Sequence, residues 1–407
     1  MSFNVFSAMA APRGERLIIT LLGRRNVGKS SLINGITGQD ISIVSETPGT
    51  TTDPVAKHYE LIPVGPVTFY DTAGIDDIGE LGEQRVKATR RVLWRSDVVM
   101  LVLDKAEPDE HDRNTIRELR GMEIPFLIVF NKTDTYTPSA AAIAELDSEK
   151  LSHISVSSQN IDDMLALRKE LIALVPEYFR KDPVIIGDII QPGDTVLCIV
   201  PIDLSAPKGR IILPQVQVIR DILDRSAIAI TVKETEIRTI LSRLNVKPAL
   251  AITDSQAVLK AAADVPDDIP FTTFSTAFAR YKADLPVLLE GLKHLEDLQE
   301  GDKVLIAEAC SHHVECDDIG RYKIPRWIEQ YLGKKINFDI AAGHDYPDDL
   351  TPYKLIIHCG GCMITGLEFM RRIRHAQAQG VPITNYGILI SKTQGLLERV
   401  IRPFGYK

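Results

Sequence analysis

The chain has 407 residues but only five cysteines, unevenly spaced. That excludes the dense disulfide framework of a small secreted domain; in a reducing compartment such a set more often binds metal. No apolar run is long enough to cross a bilayer, so no transmembrane helix is expected. The stretch from Met1 to Arg16 lacks the charged start and long apolar middle of a signal peptide. It reads as a loose arm, and a cytoplasmic location is expected. Basic residues are not in excess: 47 Lys and Arg stand against 55 Asp and Glu, a net charge of -8. That speaks against nucleic acid as the main partner, because phosphate binding needs a basic face. What is present is ordinary for a globular protein, with 44% hydrophobic and 25% charged residues. The length allows several full-sized α/β domains.

The first domain is expected over 15–179. Leu17 to Leu22 is a short apolar strand running into Gly23-Arg24-Arg25-Asn26-Val27-Gly28-Lys29-Ser30, with a helix from Ser31. Strand, glycine-rich loop and helix in this order make a P-loop. Backbone N–H groups curl around phosphates, Lys29 reaches the β- and γ-phosphates, and the Ser30 hydroxyl ligates Mg²⁺. Phe69 to Gly74 ends a strand on Asp71, which can hold Mg²⁺ through water, and Gly74 leaves its N–H for the γ-phosphate. Asn131-Lys132-Thr133-Asp134 follows the apolar strand Phe126–Phe130. The Asp134 carboxylate can accept both hydrogen bonds of the guanine edge, a pair that adenine does not offer. Ser157 and Ser158 fall where a further loop closes over the base. Four motifs in this order specify a GTPase that uses GTP and Mg²⁺. The nucleotide site is expected to comprise Gly23, Asn26, Val27, Gly28, Lys29, Ser30, Ser31, Asp71, Gly74, Asn131, Lys132, Asp134, Ser157 and Ser158, with Lys29, Thr51, Asp71 and Gly74 closest to the chemistry. Ile75 stands where Ras-like enzymes carry a catalytic glutamine, so slow intrinsic hydrolysis is expected. Asp76 and Asp77 read as a solvated loop, and Arg85, Lys87, Arg90, Arg91 and Arg95 as a solvated helix face.

A middle domain is expected over 182–270. Thr195–Val200, Ile228–Val232 and Ala249–Thr253 are β-rich apolar runs, with helical spacing over Gln215–Arg225 and Glu234–Leu244. There is no nucleotide loop, acid/base pair or metal spacing. Cys198 inside a strand reads as a packed apolar thiol. A parallel-sheet domain without chemistry reads as an association module, most simply a homodimer about a two-fold axis.

The last domain is expected over 271–407. Its strands are Lys303–Ala309, Ile336–Ala341 and Lys354–Ile357; a helix over Ile319–Tyr331 is expected to break at Pro325. Cys310 lies just beyond the first strand and His358-Cys359-Gly360-Gly361-Cys362 just beyond the third. Strand ends of an open parallel sheet converge on one side, where ligands bind. Gly360 and Gly361 give a tight turn, and the helix expected from Ile364 favours thiolates through its N-terminus. Cys310, Cys359 and Cys362 with one histidine can make a tetrahedral zinc site. The same three thiols can hold a [4Fe–4S] cluster whose fourth iron keeps an exchangeable ligand. Candidates for that place are His312, His358, Glu315 and Asp317. Cys316 and His313 read as neighbours, not ligands.

The motif Pro48-Gly49-Thr50-Thr51-Thr52-Asp53 resembles the switch I sequence of the Era and TrmE type of GTPase, with Thr52 in place of its arginine. That resemblance implies Thr51 as a second Mg²⁺ ligand, Asn26 as a K⁺ ligand, and stimulation of hydrolysis by K⁺. Such a domain followed by Cys310-x-His312 and His358-Cys359-x-x-Cys362 resembles the [FeFe]-hydrogenase maturation GTPase family over essentially the whole chain. The resemblance implies a scaffold that holds a [4Fe–4S] cluster on the three cysteines. It also implies receipt of a diiron precursor, with CO, cyanide and dithiolate ligands, made with radical-SAM maturases. Delivery to the apo-[FeFe]-hydrogenase follows, with dimerisation through the middle domain. The contrasting expectations are an RNA-modification or ribosome-assembly GTPase with a structural zinc site, and a redox enzyme, which three clustered thiols disfavour.

Overall fold

The computed structural model describes residues 13–38, 55–72, 89, 91–180, 184–202, 211–309, 318–343 and 345–406. The chain falls into two compact units, Met1–Asp182 and Pro183–Lys407.

The first unit is built on six strands: β1 (Leu17–Leu22), β2 (Val55–Leu61), β3 (Gly65–Asp71), β4 (Val98–Leu103), β5 (Phe126–Phe130) and β6 (His153–Ser155). Their order is β2-β3-β1-β4-β5-β6, parallel throughout except for β2, which pairs antiparallel to β3 at the edge. Every residue of β1, β4 and β5 is buried, as expected for strands covered on both faces. The alternation is strict. Leu17, Ile19, Leu21, Val98, Met100 and Val102 pack with Leu32 and Ile33 of the helix Lys29–Thr37 and Leu167 and Leu171 of the helix Ile161–Leu174. Val99, Leu101, Leu103 and Phe130 pack on the other face with Ile116 and Leu119 of the helix Glu110–Gly121. This is the doubly wound P-loop fold that the motifs require. Thr51, Gly74 and the switch residues around them lie outside the described residues.

The second unit holds two four-stranded, all-parallel sheets. One contains β7 (Thr195–Ile199), β8 (Ile228–Val232), β9 (Leu250–Thr253) and β10 (Phe271–Thr273) in the order β10-β9-β7-β8. The other contains β11 (Lys303–Glu308), β12 (Asn337–Ala342), β13 (Leu355–His358) and β14 (Ile383–Asn385) in the order β12-β11-β13-β14. The first of these sheets takes its edge strand from Phe271–Thr273, just beyond 270. One face of that sheet, with Leu197 and Ile199, shares a continuous apolar core with the other sheet, reaching to Val400. Its opposite face, with Val196, Cys198 and Val200, packs on Val218, Ile222, Phe274 and Phe278. Cys198 is fully buried in β7, and burial pushes its thiol up to about 12.

Helical structure runs from Ile319 to Leu332, and Pro325 lies where it changes from a π-helical stretch, Ile319–Lys323, to the α-helix Ile324–Leu332. Among the described residues no helix is long and apolar enough to cross a membrane.

Candidate functional site

At the nucleotide end, the loop after β1 must bend where side chains obstruct. Gly23 and Gly28 have φ of 142° and 93°, in the region that favours glycine, and a Cβ on Gly28 would collide with the Asn131 amide. Lys29 is buried, its ammonium donating to the carbonyls of Gly23 at 3.0 Å and Arg24 at 2.8 Å. It is thus folded over the loop it serves. Val27 is buried as part of the core. Ser30 and Ser31 are exposed at the start of the helix, and the Ser30 hydroxyl donates to the Asp71 carboxylate. The two groups expected to share Mg²⁺ are therefore already in contact.

The base-reading loop is tied to this cradle. Asn131 Nδ2 donates to the Val27 carbonyl at 2.8 Å. Lys132 Nζ donates to the Asn26 carbonyl at 2.7 Å and the Asp104 carboxylate at 2.8 Å. Asn26 and Lys132 both take positive φ, of 63° and 65°. The Ser157 hydroxyl donates to Asp134 Oδ1 at 2.8 Å, which orients that carboxylate, and Ser158 follows half-buried. Sequence reasoning missed the brace beside the loop. Arg24 pairs with Asp109, which caps the helix Glu110–Gly121, and Lys105 reaches Asp109 at 2.7 Å and Asp112 at 2.5 Å.

At the cysteine end, β11 and β13 are neighbours, with Ala307 opposite His358. Cys359 N donates to the Ala307 carbonyl at 2.8 Å, and Ala309 N donates to the Cys359 sulfur at 3.1 Å. Ala309, the last described residue before Cys310, is thereby held against the Cys359 loop. Cys310, His312, His313, Glu315, Cys316 and Asp317 themselves lie outside the described residues. Gly361 has φ of 62°, and a Cβ there would come within 3.1 Å of the Phe369 ring. Gly360 meets no such obstacle, so the turn rests on one glycine and not two. The helix following the loop begins at Gly366, capped by Thr365, so its N-terminus stands further from Cys362 than a helix from Ile364 would place it.

His358 is fully buried and stacked on Phe369 with ring centroids 4.3 Å apart. Its Nδ1 donates to the Cys359 carbonyl at 2.8 Å, and its Nε2 accepts from Arg372 Nη1 at 3.1 Å. Both nitrogens are engaged, and burial together with the Arg372 charge pushes the imidazole down to about 3. The ring thus ties the loop to Arg372 of the following helix. Arg372 also donates to the Gly343 carbonyl at 3.2 Å and Glu368 at 2.8 Å.

Burial pushes the Cys359 thiol up to about 11, against N–H groups of Gly361 and Ala309 that favour its thiolate. Burial also raises Cys362, against the charge of Lys282. Lys282, Arg372, and the buried Glu308 beside Tyr386 were not legible as site residues. Among the described residues, the Cys359–Cys362 loop carries two sulfurs, with a backbone N–H on one of them.

Three family models match the chain in succession. One described as "50S ribosome-binding GTPase" matches 18–132. "Hydrogen maturase F dimerization domain" matches 185–283, and "Hydrogen maturase F tetramerization domain" matches 286–403. Together the last two span more than half of the sequence. Among curated proteins, the tRNA modification GTPase MnmE of Legionella pneumophila (strain Corby) is 33% identical over 165 residues, 40% of this chain and 36% of the relative. MnmE of Oceanobacillus iheyensis is 38% identical over 122 residues, 30% of this chain and 26% of the relative. The chain thus spans about a third of the length of the curated relatives it matches. Among solved structures, an Era variant of Aquifex aeolicus bound to GDP.AlF4⁻ has a TM-score of 0.34 and 20% identity, covering 53% of this chain and 92% of that one. The G domain of FeoB from T. maritima has a TM-score of 0.33 and 20% identity, covering 40% and 99%.

Proposed function

Because this chain is a GTPase that belongs to the hydrogen maturase F family, we propose that it is a scaffold for hydrogenase maturation. It holds a [4Fe–4S] cluster and carries a diiron precursor to the apo-[FeFe]-hydrogenase. Its upstream partners are the radical-SAM maturases, and it works as a homodimer or a larger assembly of itself. The observation that carries this reading is the Cys359–Cys362 loop, pinned by Ala309 to the strand end from which Cys310 follows, in a chain whose second unit matches the two hydrogen maturase F models.

Cys310, Cys359 and Cys362 would hold the cluster. A [4Fe–4S] cluster held by three thiolates supplies an iron with an exchangeable position. His312, Glu315 and Asp317 are the candidates for that position. His358 is spent on Cys359 and Arg372 and keeps the loop in place. Carrying demands release, and three protein thiolates suit release better than four.

At the other end Lys29 and the loop N–H groups bind the phosphates of GTP, Ser30, Thr51 and Asp71 hold Mg²⁺, Asn26 binds K⁺, and Asp134 reads guanine. Hydrolysis is stimulated by K⁺ and regulates contacts with partners; the cluster chemistry lies elsewhere. The deciding experiment is anaerobic reconstitution of the full chain with iron and sulfide, followed by iron, sulfide and zinc analysis and EPR. About four irons per chain with a cluster signal are expected. A colourless protein holding only zinc would sink the scaffold in favour of the RNA-modification reading. The likeness to tRNA modification GTPases covers 165 residues, 40% of this chain, and reflects its GTPase domain.

A further inference from the structure

The phosphate loop follows β1 and the base-reading loop follows β5, and these two strands are not neighbours. β4 lies between them, paired to β1 on one side and to β5 on the other. A tie between the two loops must therefore pass over the end of β4. The first residue beyond that end is Asp104, which belongs to none of the nucleotide motifs. Its carboxylate accepts from Lys132 Nζ at 2.8 Å, and the same ammonium donates to the Asn26 carbonyl at 2.7 Å. One ammonium thus joins three adjacent strand ends.

A lysine with a loose end samples many rotamers, and holding it still costs entropy. Here the ammonium is held by a full charge and a carbonyl, in a pair only partly exposed, at 36% for Lys132 and 31% for Asp104. The two backbones that it connects are both unusual. Asn26 and Lys132 have φ of 63° and 65°, a region that L side chains rarely adopt. The loop beyond β4 repeats the device further along. Asp109 pairs with Arg24, two residues before Asn26, and Lys105 pairs with Asp109 in turn.

Charge alone would disfavour an acid at this place. Asp104 stands two hydrogen bonds from the phosphate loop, and its carboxylate repels an anionic ligand. What it does to Lys132 accounts for it. We propose that Asp104 is a positioning residue for the nucleotide. Acting through Lys132, it fixes the base-reading loop to the phosphate loop, so that guanine and phosphates are held by one preorganised frame and the nucleotide leaves slowly. The inference rests on the reading of these two loops as the GTP site.

The test uses the full chain as wild type, Asp104→Asn, Asp104→Ser, Lys132→Met, and Asp104→Asn combined with Lys132→Met. The dissociation rate of a fluorescent GDP analogue, chased with excess GDP, and the melting temperature without nucleotide are measured for each. Wild-type binding of the analogue tests the nucleotide site by itself; the differences among variants test Asp104. Asp104→Asn is expected to release the analogue about three- to fivefold faster at unchanged melting temperature, the worth of one partly exposed ion pair. Asp104→Ser should do the same. The double variant should release no faster than Lys132→Met alone, because the acid acts through the lysine. Unchanged or slower release from Asp104→Asn overturns the proposal, slower release being what repulsion alone produces. A full further increase when Asp104→Asn is added to Lys132→Met also overturns it. So does faster release that comes with a lowered melting temperature in both Asp104 variants, which is a general loosening of the domain. If Asp104→Asn does not fold, Asp104→Ser takes its place, alone and with Lys132→Met.

Discussion

Arg372 and His358 hold each other: the guanidinium lies 3.1 Å from the imidazole Nε2, and both side chains are buried. The same guanidinium pairs with Glu368 at 2.8 Å, one helical turn away. Removing Arg372 therefore strands a buried carboxylate and frees the histidine that anchors the cysteine loop. Arg372→Met is expected to cost about 3–5 kcal/mol in denaturant unfolding. Arg372→Met combined with Glu368→Gln should recover a substantial part of that loss. If the double variant is no more stable than the single one, the stranded charge is not the cause.

Lys29→Ala removes the ammonium that sits over the phosphate loop. GTP binding by equilibrium dialysis should fall by at least about tenfold, the loss of one charge-assisted contact. Iron content after reconstitution should match wild type, because the lysine and the cysteines lie in separately folded units. Loss of both functions together would show that the units depend on one another.

Asp134 is oriented by the Ser157 hydroxyl. Asp134→Asn replaces a double acceptor with a mixed donor and acceptor. Affinity for GTP should drop by about 1–3 kcal/mol, while a base with a carbonyl in place of the guanine amine should be tolerated. Competition between GTP and xanthosine triphosphate reads this directly; unchanged preference for GTP would remove Asp134 from base recognition.

Hydrolysis should run faster in K⁺ than in Na⁺, and Asn26→Ala should erase the difference. Steady-state phosphate release in the two salts measures it. Equal rates in the wild type would take away the proposed role of Asn26.

Asp188 is held below the ordinary carboxylate range chiefly by its hydrogen bond from Arg280, at 2.8 Å on one oxygen. A carboxyl depressed on folding adds stability above its unfolded value, about 3.9, and loses it as pH falls through the lower folded value. The pair is partly exposed, so its worth is held to about 1 kcal/mol or less. Arg280→Met should thus be slightly less stable than wild type at neutral pH. The gap should close as the pH is taken into the acid range below the ordinary carboxylate value. A gap that persists undiminished in acid would assign the effect to lost packing against Phe404, over whose ring Arg280 lies.

The parts of both sites that sequence revealed are the local ones. A P-loop, Asn131-Lys132-Thr133-Asp134 and Cys359-x-x-Cys362 carry their geometry in a few consecutive residues, so spacing suffices. Lys282 and Gly361 are 79 residues apart, and nothing in either neighbourhood announces the other. Arg372 sits at ordinary helical spacing and reads as a solvated residue until the strand that ends in His358 is placed beneath it. The edge strand β2 was missed for a related reason: its half-buried pattern, with Lys57, His58 and Glu60 among apolar neighbours, gives no clean period. Pro325 reads as a break because proline removes an interior N–H donor; the structure meets that loss with a change of helix type beside it, from π to α, and not with a gap.

The apolar core that runs from Leu197 to Val400 decides where this chain can be cut and joined. A boundary drawn between the two family matches, at 283–286, passes through that core and would expose Ala279, Leu285 and Leu288, all buried. The stretch from Pro183 onward is therefore to be truncated or transplanted as one block.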